Sequence, residues 1–371
     1  MRDSRLEMLS TRALNRALLE RQMLLRRSSM AASRLIEHLV GIQAQVPNAP
    51  YLALWTRLED FRHDALTSLI TTRRVVRIAL MRSTIHMVTA RDCLQLRPLV
   101  QPVIDRGLRG SFGKALDGID LAALAAAARA IVEEQPRTLS DIGKRLNKQW
   151  RDRDAFALGY AARAVVPLVQ VPPRGIWGRR GVAARTSVEQ WLGRPLASKP
   201  SPDKLLLRYF GAFGPASVLD AQTWSGLTAL REVIERLRPR LRAFRDQRGT
   251  ELFDLPNAPR PDPATAAPTR FLPEFDNVLL AHLDRSRIVA PEHRWKALGS
   301  GALMTGTVLI DGFVGARWKI QEERRAAMLT IEPLRRVTKQ DRARVLEEGT
   351  RFLAFAASNA ATSDIRFVDP R

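Results

Sequence analysis

The segment Arg34-Leu35-Ile36-Glu37-His38-Leu39-Val40-Gly41-Ile42-Gln43-Ala44-Gln45 organises the reading of this chain. Leu35, Ile36, Leu39, Val40 and Ile42 recur at helical spacing and give one apolar face. Gly41 loosens the end of that helix, and Gln43 and Gln45 follow with only Ala44 between them. In extended backbone, residues two apart point the same way, so both amides would face one point. Val46, Pro47, Asn48 and Pro50 then end the segment, since proline lacks a donor and restricts its predecessor.

Around this stretch the pattern predicts helices over 11–27, 30–41, 51–61 and 64–72, the first capped by Ser10 or Thr11. Two β-branched runs follow, Val75–Arg82 and Thr84–Val88, read as two strands or one bent ribbon. Helices closing on a ribbon is the order of a winged-helix module, and it recurs twice. The second copy has helices over 120–134, 138–146 and 154–166, a strand 168–171, a turn at 172–175 and a return strand at Ile176-Trp177. The third has helices over 203–211, 216–224 and 227–238, then a hairpin of 241–244 and 251–255. Five prolines among residues 256–268 predict an extended linker that buries little. Short strands at 270–272, 307–310, 315–320 and 327–331 come next, with Asp311-Gly312 as a hairpin turn. A helix over 338–358 and a strand at 365–368 complete a small β-barrel or a sheet closed by a helix. The fold class is therefore α+β.

The chain has 371 residues, enough for several domains with a substantial core. Its 60 Lys+Arg against 38 Asp+Glu give a formal charge of +22, which favours a polyanionic partner, nucleic acid before membrane. A coding bias toward Arg, Ala and Pro accounts for part of that excess. The single Cys93 excludes an internal disulfide framework and a Cys-cluster zinc site, and fits a reducing compartment. Met1-Arg2-Asp3-Ser4 leads into an amphipathic helix without an apolar signal core, and no apolar run reaches about 18 residues. The expectation is a soluble, cytoplasmic, nucleoid-associated protein, monomeric and away from membranes.

No GxxxxGK[ST] phosphate loop, no HExxH and no Cys/His cluster occurs, so neither a nucleotide motor nor a metal site is expected, and no cofactor is. The five His are scattered. His86, two residues after Thr84 on the ribbon, reads equally as a structural hydrogen-bonder or as a contact to bound DNA. Asp276-Asn277 and His282-Leu283-Asp284-Arg285 read as a loop-fixing network. Arg73-Arg74, Arg179-Arg180, and Arg145 with Lys148 are candidate phosphate contacts, and Thr84 and Arg82, like His86, are candidate contacts to a lesion or to DNA. Two amides at a helix end, inside an apolar stretch, must find hydrogen bonds or cost roughly 1–3 kcal/mol each, and together they would hold a water.

The Gln43-Ala44-Gln45 stretch, with Met81-Arg82-Ser83-Thr84-Ile85-His86-Met87-Val88, Phe213-Gly214-Pro215-Ala216, Leu272-Pro273-Glu274-Phe275-Asp276-Asn277 and Ile310-Asp311-Gly312-Phe313-Val314, resembles the winged-helix DNA glycosylases of the AlkZ/YcaQ type. The family carries Gln-apolar-Gln or Gln-apolar-Asp as its catalytic element, and the present form is nearer the AlkZ branch. Ala44 is smaller than the bulky residue expected between the two Gln. The resemblance implies three tandem winged helices, at 1–110, 111–200 and 201–258, and a β-barrel at 259–371, arranged as a C around a basic channel. It implies Gln43 and Gln45 as catalytic residues, double-stranded DNA as partner, excision of N7-alkylated purines by a monofunctional enzyme, and unhooking of interstrand crosslinks. The competing reading is a winged-helix regulator without catalysis; a small-molecule hydrolase or transferase is disfavoured by the charge.

Overall fold

The computed structural model describes residues 6–295 and 305–368; the reading of Met1–Ser4 lies outside them. Ser10 accepts a hydrogen bond from the Ala13 N–H and starts a helix over Thr11–Arg21, shorter than the pattern suggests. Helices Ala32–His38, Ala49–Trp55 and His63–Thr71 follow, then the strands Val75–Ala79 and Ile85–Thr89. Two helices that the reading passed over, Ala90–Leu99 and Gln101–Phe112, lead to the second helical block at Leu121–Glu134, Leu139–Leu146 and Ala155–Val165. The third block is Pro202–Phe213, Val218–Ser225 and Leu230–Leu237, closed by the antiparallel hairpin Arg242–Asp246 and Glu251–Asp254.

The first two ribbons are not separate wings. Ile42–Gln43, Ile85–Thr89, Val75–Ala79, Leu168–Gln170 and Arg185–Ser187 form one five-stranded sheet in that order. Arg77 opposite Gln170 and Ile78 opposite Val169 join the halves. The return strand of the second block is Arg185–Ser187, not Ile176-Trp177. Trp177 instead packs sideways, with ring centroids 4.2 Å from His63 and 5.2 Å from Tyr51. An apolar pair that finds aromatic partners gains more there than on a sheet edge. The third hairpin is extended by Met8–Leu9, which runs parallel to Arg242–Asp246.

The C-terminal sheet is open rather than a closed barrel. Its order is Thr362–Phe367, Ala326–Pro333, Phe313–Glu323, Gly306–Ile310, Arg270–Leu272, and no pairing joins the two edges among the described residues. The helix Lys339–Ala356 covers it, burying Val345, Phe352 and Leu353 against Phe271, Trp318 and Leu329. Asp311 and Gly312 both hold positive φ, as a tight hairpin turn requires.

The proline-rich segment 256–268 is pinned, contrary to the expectation of a loose linker. Arginines of the first helix donate to its carbonyls: Arg12 to Pro263 (2.8 Å), Arg16 to Thr265 (2.6 Å) and Arg21 to Pro259. A run poor in N–H donors leaves acceptors free, and guanidinium groups satisfy several at once. Arg21 also forms a two-pronged buried pair with Asp254 (2.6 and 2.7 Å), so part of the basic excess is internal scaffolding.

Candidate functional site

Gln43 sits on the edge strand of the five-stranded sheet, directly opposite His86, with Ile42 opposite Met87. Getting there needs a sharp exit from the preceding helix. Val40 and Gly41 both take positive φ, and a Cβ on Gly41 would lie 2.6 Å from Val88 Cγ1. Gly41 is thus a close-approach residue that lets the chain turn onto its partner strand.

Each residue of the motif is then tied down. Asn277 clamps the entry: its side chain donates to the Gly41 carbonyl (2.7 Å) and accepts from the Gln43 N–H (3.3 Å). Ala44 donates its N–H to the Ile85 carbonyl (2.7 Å) and accepts at its own carbonyl from Arg77 Nη2 (2.7 Å). Ala44 is fully buried, and its carbonyl is taken by the buried Arg77 guanidinium. Gln45 Oε1 accepts from the Ile85 N–H (3.2 Å), and the rest of that side chain is exposed. Gln43 is 4 % exposed, and its Oε1 accepts from Arg82 Nη2 at 2.7 Å. These bonds fix both amides with the oxygen toward protein donors. Each oxygen keeps a second lone pair and each Nε2 its two protons for a bound molecule.

Arg82, read from sequence as a candidate contact to a lesion or to DNA, is turned inward. It donates to Gln43 and to the Trp224 carbonyl of the third block, through a turn in which Arg82 and Ser83 both hold positive φ. A Cβ on Gly226, two residues beyond Trp224, would stand 3.2 Å from the Arg82 backbone nitrogen, so glycine leaves room for this turn. No carboxylate pairs with Arg82 among the described residues. Burial draws its pKa down to about 10, with the Arg285 charge acting the same way. Thr84 is also occupied internally, donating to the Met81 carbonyl (3.1 Å).

His86 is 2 % exposed, and its ring is engaged in a structural hydrogen bond, one of the two roles the sequence leaves open for it. Burial, reinforced by the Arg82 charge, drives its pKa down to about 3, so at neutral pH its Nδ1–H donates to the Thr84 carbonyl (3.0 Å) and the ring is uncharged. Because the unfolded chain protonates this ring near pH 6.5 and the folded chain does not, stability is fully present above that pH. It is lost as pH falls below it, by about 1.4 kcal/mol per pH unit for one such group. His86→Gln is expected to shallow that acid-side slope by about one proton in denaturation experiments between pH 6.5 and 4. An unchanged slope would contradict the assignment.

Arg73 stacks on Trp191 at 4.1 Å and bonds its carbonyl (3.0 Å). Arg74, Lys148, Arg179 and Arg180 are exposed, and the half-buried Arg145 lies 3.5 Å from Asp141. The structure therefore brings Gln43, Gln45, Arg82 and His86 together and leaves the other cations apart from them. Asp276 and Asn277 do fix a loop: Asp276 makes a two-pronged buried pair with Arg57 (2.7 and 2.8 Å). His282 is buried on the Phe213 carbonyl. Sequence reasoning missed that Asn277 is the clamp on the Gln motif; the only signal was a polar pair inside an apolar segment. Among the described residues no cluster of His, Cys, Asp and Glu could hold a metal, and no helix is long and apolar enough to cross a membrane.

The chain is 24 % identical over 342 residues to the interstrand DNA cross-link repair glycosylase of Streptomyces sahachiroi, covering 82 % of this chain and 86 % of that protein. The solved structure of the Streptomyces sahachiroi DNA glycosylase AlkZ superposes with a TM-score of 0.76 at 20 % identity, over 97 % of this chain and all of that one. The family model for AlkZ-like DNA glycosylases matches residues 36–355, which span the Gln motif, Arg82 and the Asn277 clamp alike. A chain matched over that length, with its motif fixed in place by its own side chains, belongs to the AlkZ-like family of DNA glycosylases.

Proposed function

We propose that this glycosylase excises N7-alkylated, cationic purines from double-stranded DNA and unhooks interstrand crosslinks of the same chemistry, with Gln43 and Gln45 positioning the attacking water. The three helical blocks, in this reading, are winged-helix units that address the duplex together. The observation that carries it is the fixing of two neutral amides at the end of one edge strand, the Gln43 side chain held by Arg82 with its backbone clamped by Asn277, and the Gln45 side chain held by the Ile85 N–H.

The chemistry suits neutral amides. A purine alkylated at N7 already carries a positive charge, so when the C1′–N9 bond breaks its electron pair neutralises the leaving ring and no general acid is needed. The sugar becomes oxocarbenium-like, and a water oxygen closes on C1′ while its proton passes to solvent. Glutamine is too weak a base to take that proton fully; it contributes by placing the water and by its carbonyl dipole. A site built this way discriminates by leaving-group charge. Neutral lesions, which need an acid, react slowly. A crosslinked base stays tied to the other strand, which a fixed motif at a strand edge tolerates better than a deep pocket does.

Mass spectrometry of the supernatant from methylated duplex DNA is expected to show free N7-methylguanine, and a defined nitrogen-mustard crosslink to be unhooked on a denaturing gel. Absence of both with the wild-type protein would overturn the proposal and leave only DNA binding. The exposed Arg179 and Arg180 act on the backbone in this reading. Reversing both to Glu is expected to weaken binding to every sequence alike and to reduce the slope of log K against log salt by about two. Fluorescence anisotropy over a salt series checks this; a loss confined to one sequence would contradict it.

A further inference from the structure

Between the helices Gln101–Phe112 and Ala155–Val165 lies a cavity of about 190 Å³ that the mechanism above does not use. Ile104, Phe112, Tyr160 and Arg163 line it, with Ser83 and Ser111. It adjoins the motif through the chain, since Ser83 follows Arg82, the residue that holds Gln43. Phe112 and Tyr160 lie 5.1 Å apart between ring centroids, and both touch Phe156, which is 60 % exposed, so the aromatic surface continues outward. Arg109 and Lys114 stand exposed beside Phe112. Arg163 donates to the Ser83 carbonyl, while its Nε is buried without a partner. None of the described residues lining the cavity is acidic.

Aromatic faces with a guanidinium and a basic surround are the chemistry that takes up a nucleobase. The volume admits one ring system rather than a dinucleotide. The charge decides which base. Arg163, in the cavity lining, disfavours a cationic N7-alkylpurine there, and guanidinium only donates, so the occupant presents acceptors. We propose that this cavity receives the neutral, undamaged pyrimidine opposite the lesion, cytosine where the lesion is an N7-alkylguanine, turned out of the duplex, stacked on Phe112 and Tyr160 with its acceptor edge toward Arg163. The proposal rests on the DNA glycosylase reading of the Gln motif and adds a second DNA-binding site to it.

The probe is a duplex with pyrrolocytosine opposite a tetrahydrofuran abasic analogue, bound by the full-length protein. Gly107→Leu fills the cavity: a Cβ there would stand 3.9 Å from Ser83, which is ordinary contact, and leucine suits a helix better than glycine, so the fold is retained. The wild type is expected to change the analogue's fluorescence on binding. Gly107→Leu is expected to abolish that change and to weaken binding to this duplex five- to tenfold, with affinity for undamaged duplex within twofold. Phe112→Ala, which opens the cavity instead of filling it, is expected to do the same. A wild-type response in both variants, or a response only when the analogue sits beside the abasic analogue on the same strand, overturns the proposal. Release of N7-methylguanine by the wild type is followed in parallel. Release without any response of the analogue removes the cytosine cavity alone, whereas no release removes the glycosylase reading beneath it.

Discussion

Replacing Gln43 by alanine is expected to slow single-turnover release of N7-methylguanine by about 100-fold, the scale on which a misplaced reactant costs rate, while the affinity for alkylated duplex changes less than about threefold. The reason lies in what Gln43 touches. Its backbone is held by Asn277 and by pairing with the His86 strand, none of which an alanine disturbs. Its side chain contacts Arg82, which keeps the Trp224 carbonyl when the amide is removed. The variant therefore loses the amide and little else. Gln43→Glu is informative beside it. A carboxylate there would pair with Arg82 and be held by it, so the added negative charge faces the guanidinium rather than the sugar. Loss of DNA binding ahead of catalysis in Gln43→Ala would mean that the residue grips the duplex instead of placing a water.

The second large effect is on stability. Asp276→Ala strands the buried Arg57 guanidinium, whose two nitrogens now lie 2.7 and 2.8 Å from the carboxylate. Both side chains are 1 % exposed. Removing one partner of such a pair typically costs about 3–5 kcal/mol because the remaining charge is left without compensation. Asp276 also accepts from the Val278 N–H at 3.1 Å and so caps the short helix that carries Asn277. Denaturant unfolding is expected to show the loss, and glycosylase activity of the remaining folded protein to fall with the clamp on Gln43. Arg57→Met combined with Asp276→Leu is expected to recover much of the stability, since no charge is then buried alone, but not the cap. A single variant that loses less than about 1 kcal/mol would show that water reaches the pair.

What could be read in the sequence and what could not follows from the range of the interactions involved. The Asp311-Gly312 turn and the helical blocks rest on local preferences, and the chain places them close to where the pattern put them, whereas of the Gln motif only Gln43 lies in the strand and Gln45 sits in the bend beyond it. The register that sets Gln43 opposite His86 does not rest on local preferences; it depends on Gly41 packing against Val88, a contact between segments far apart in sequence. Ala90–Leu99 escaped the pattern because Pro98 and several polar residues interrupt its periodicity. Alternating strands predict a buried face equally well in a closed barrel and in a sheet covered by a helix, so the pattern left both open; the chain takes the second, with Lys339–Ala356 as the cover, and not the barrel that the resemblance implies. The basic charge was the most misleading number. Arg16, Arg21 and Arg57 are nearly fully buried and paired with Asp311, Asp254 and Asp276, so composition alone could not separate arginines that hold the fold from arginines that face DNA. Arg82 belongs to neither group: it reaches the amide that the sequence had singled out.

The most direct measurement is a double-mutant cycle on single-turnover release of N7-methylguanine with Gln43→Ala, Gln45→Ala and the pair. Two amides acting on one water lose it when either is removed, so the double variant is expected to be no more than about twofold slower than the slower single variant, a strong departure from additivity. Effects that multiply, with the double variant slower by the product of the two single losses, would show independent roles and contradict the account.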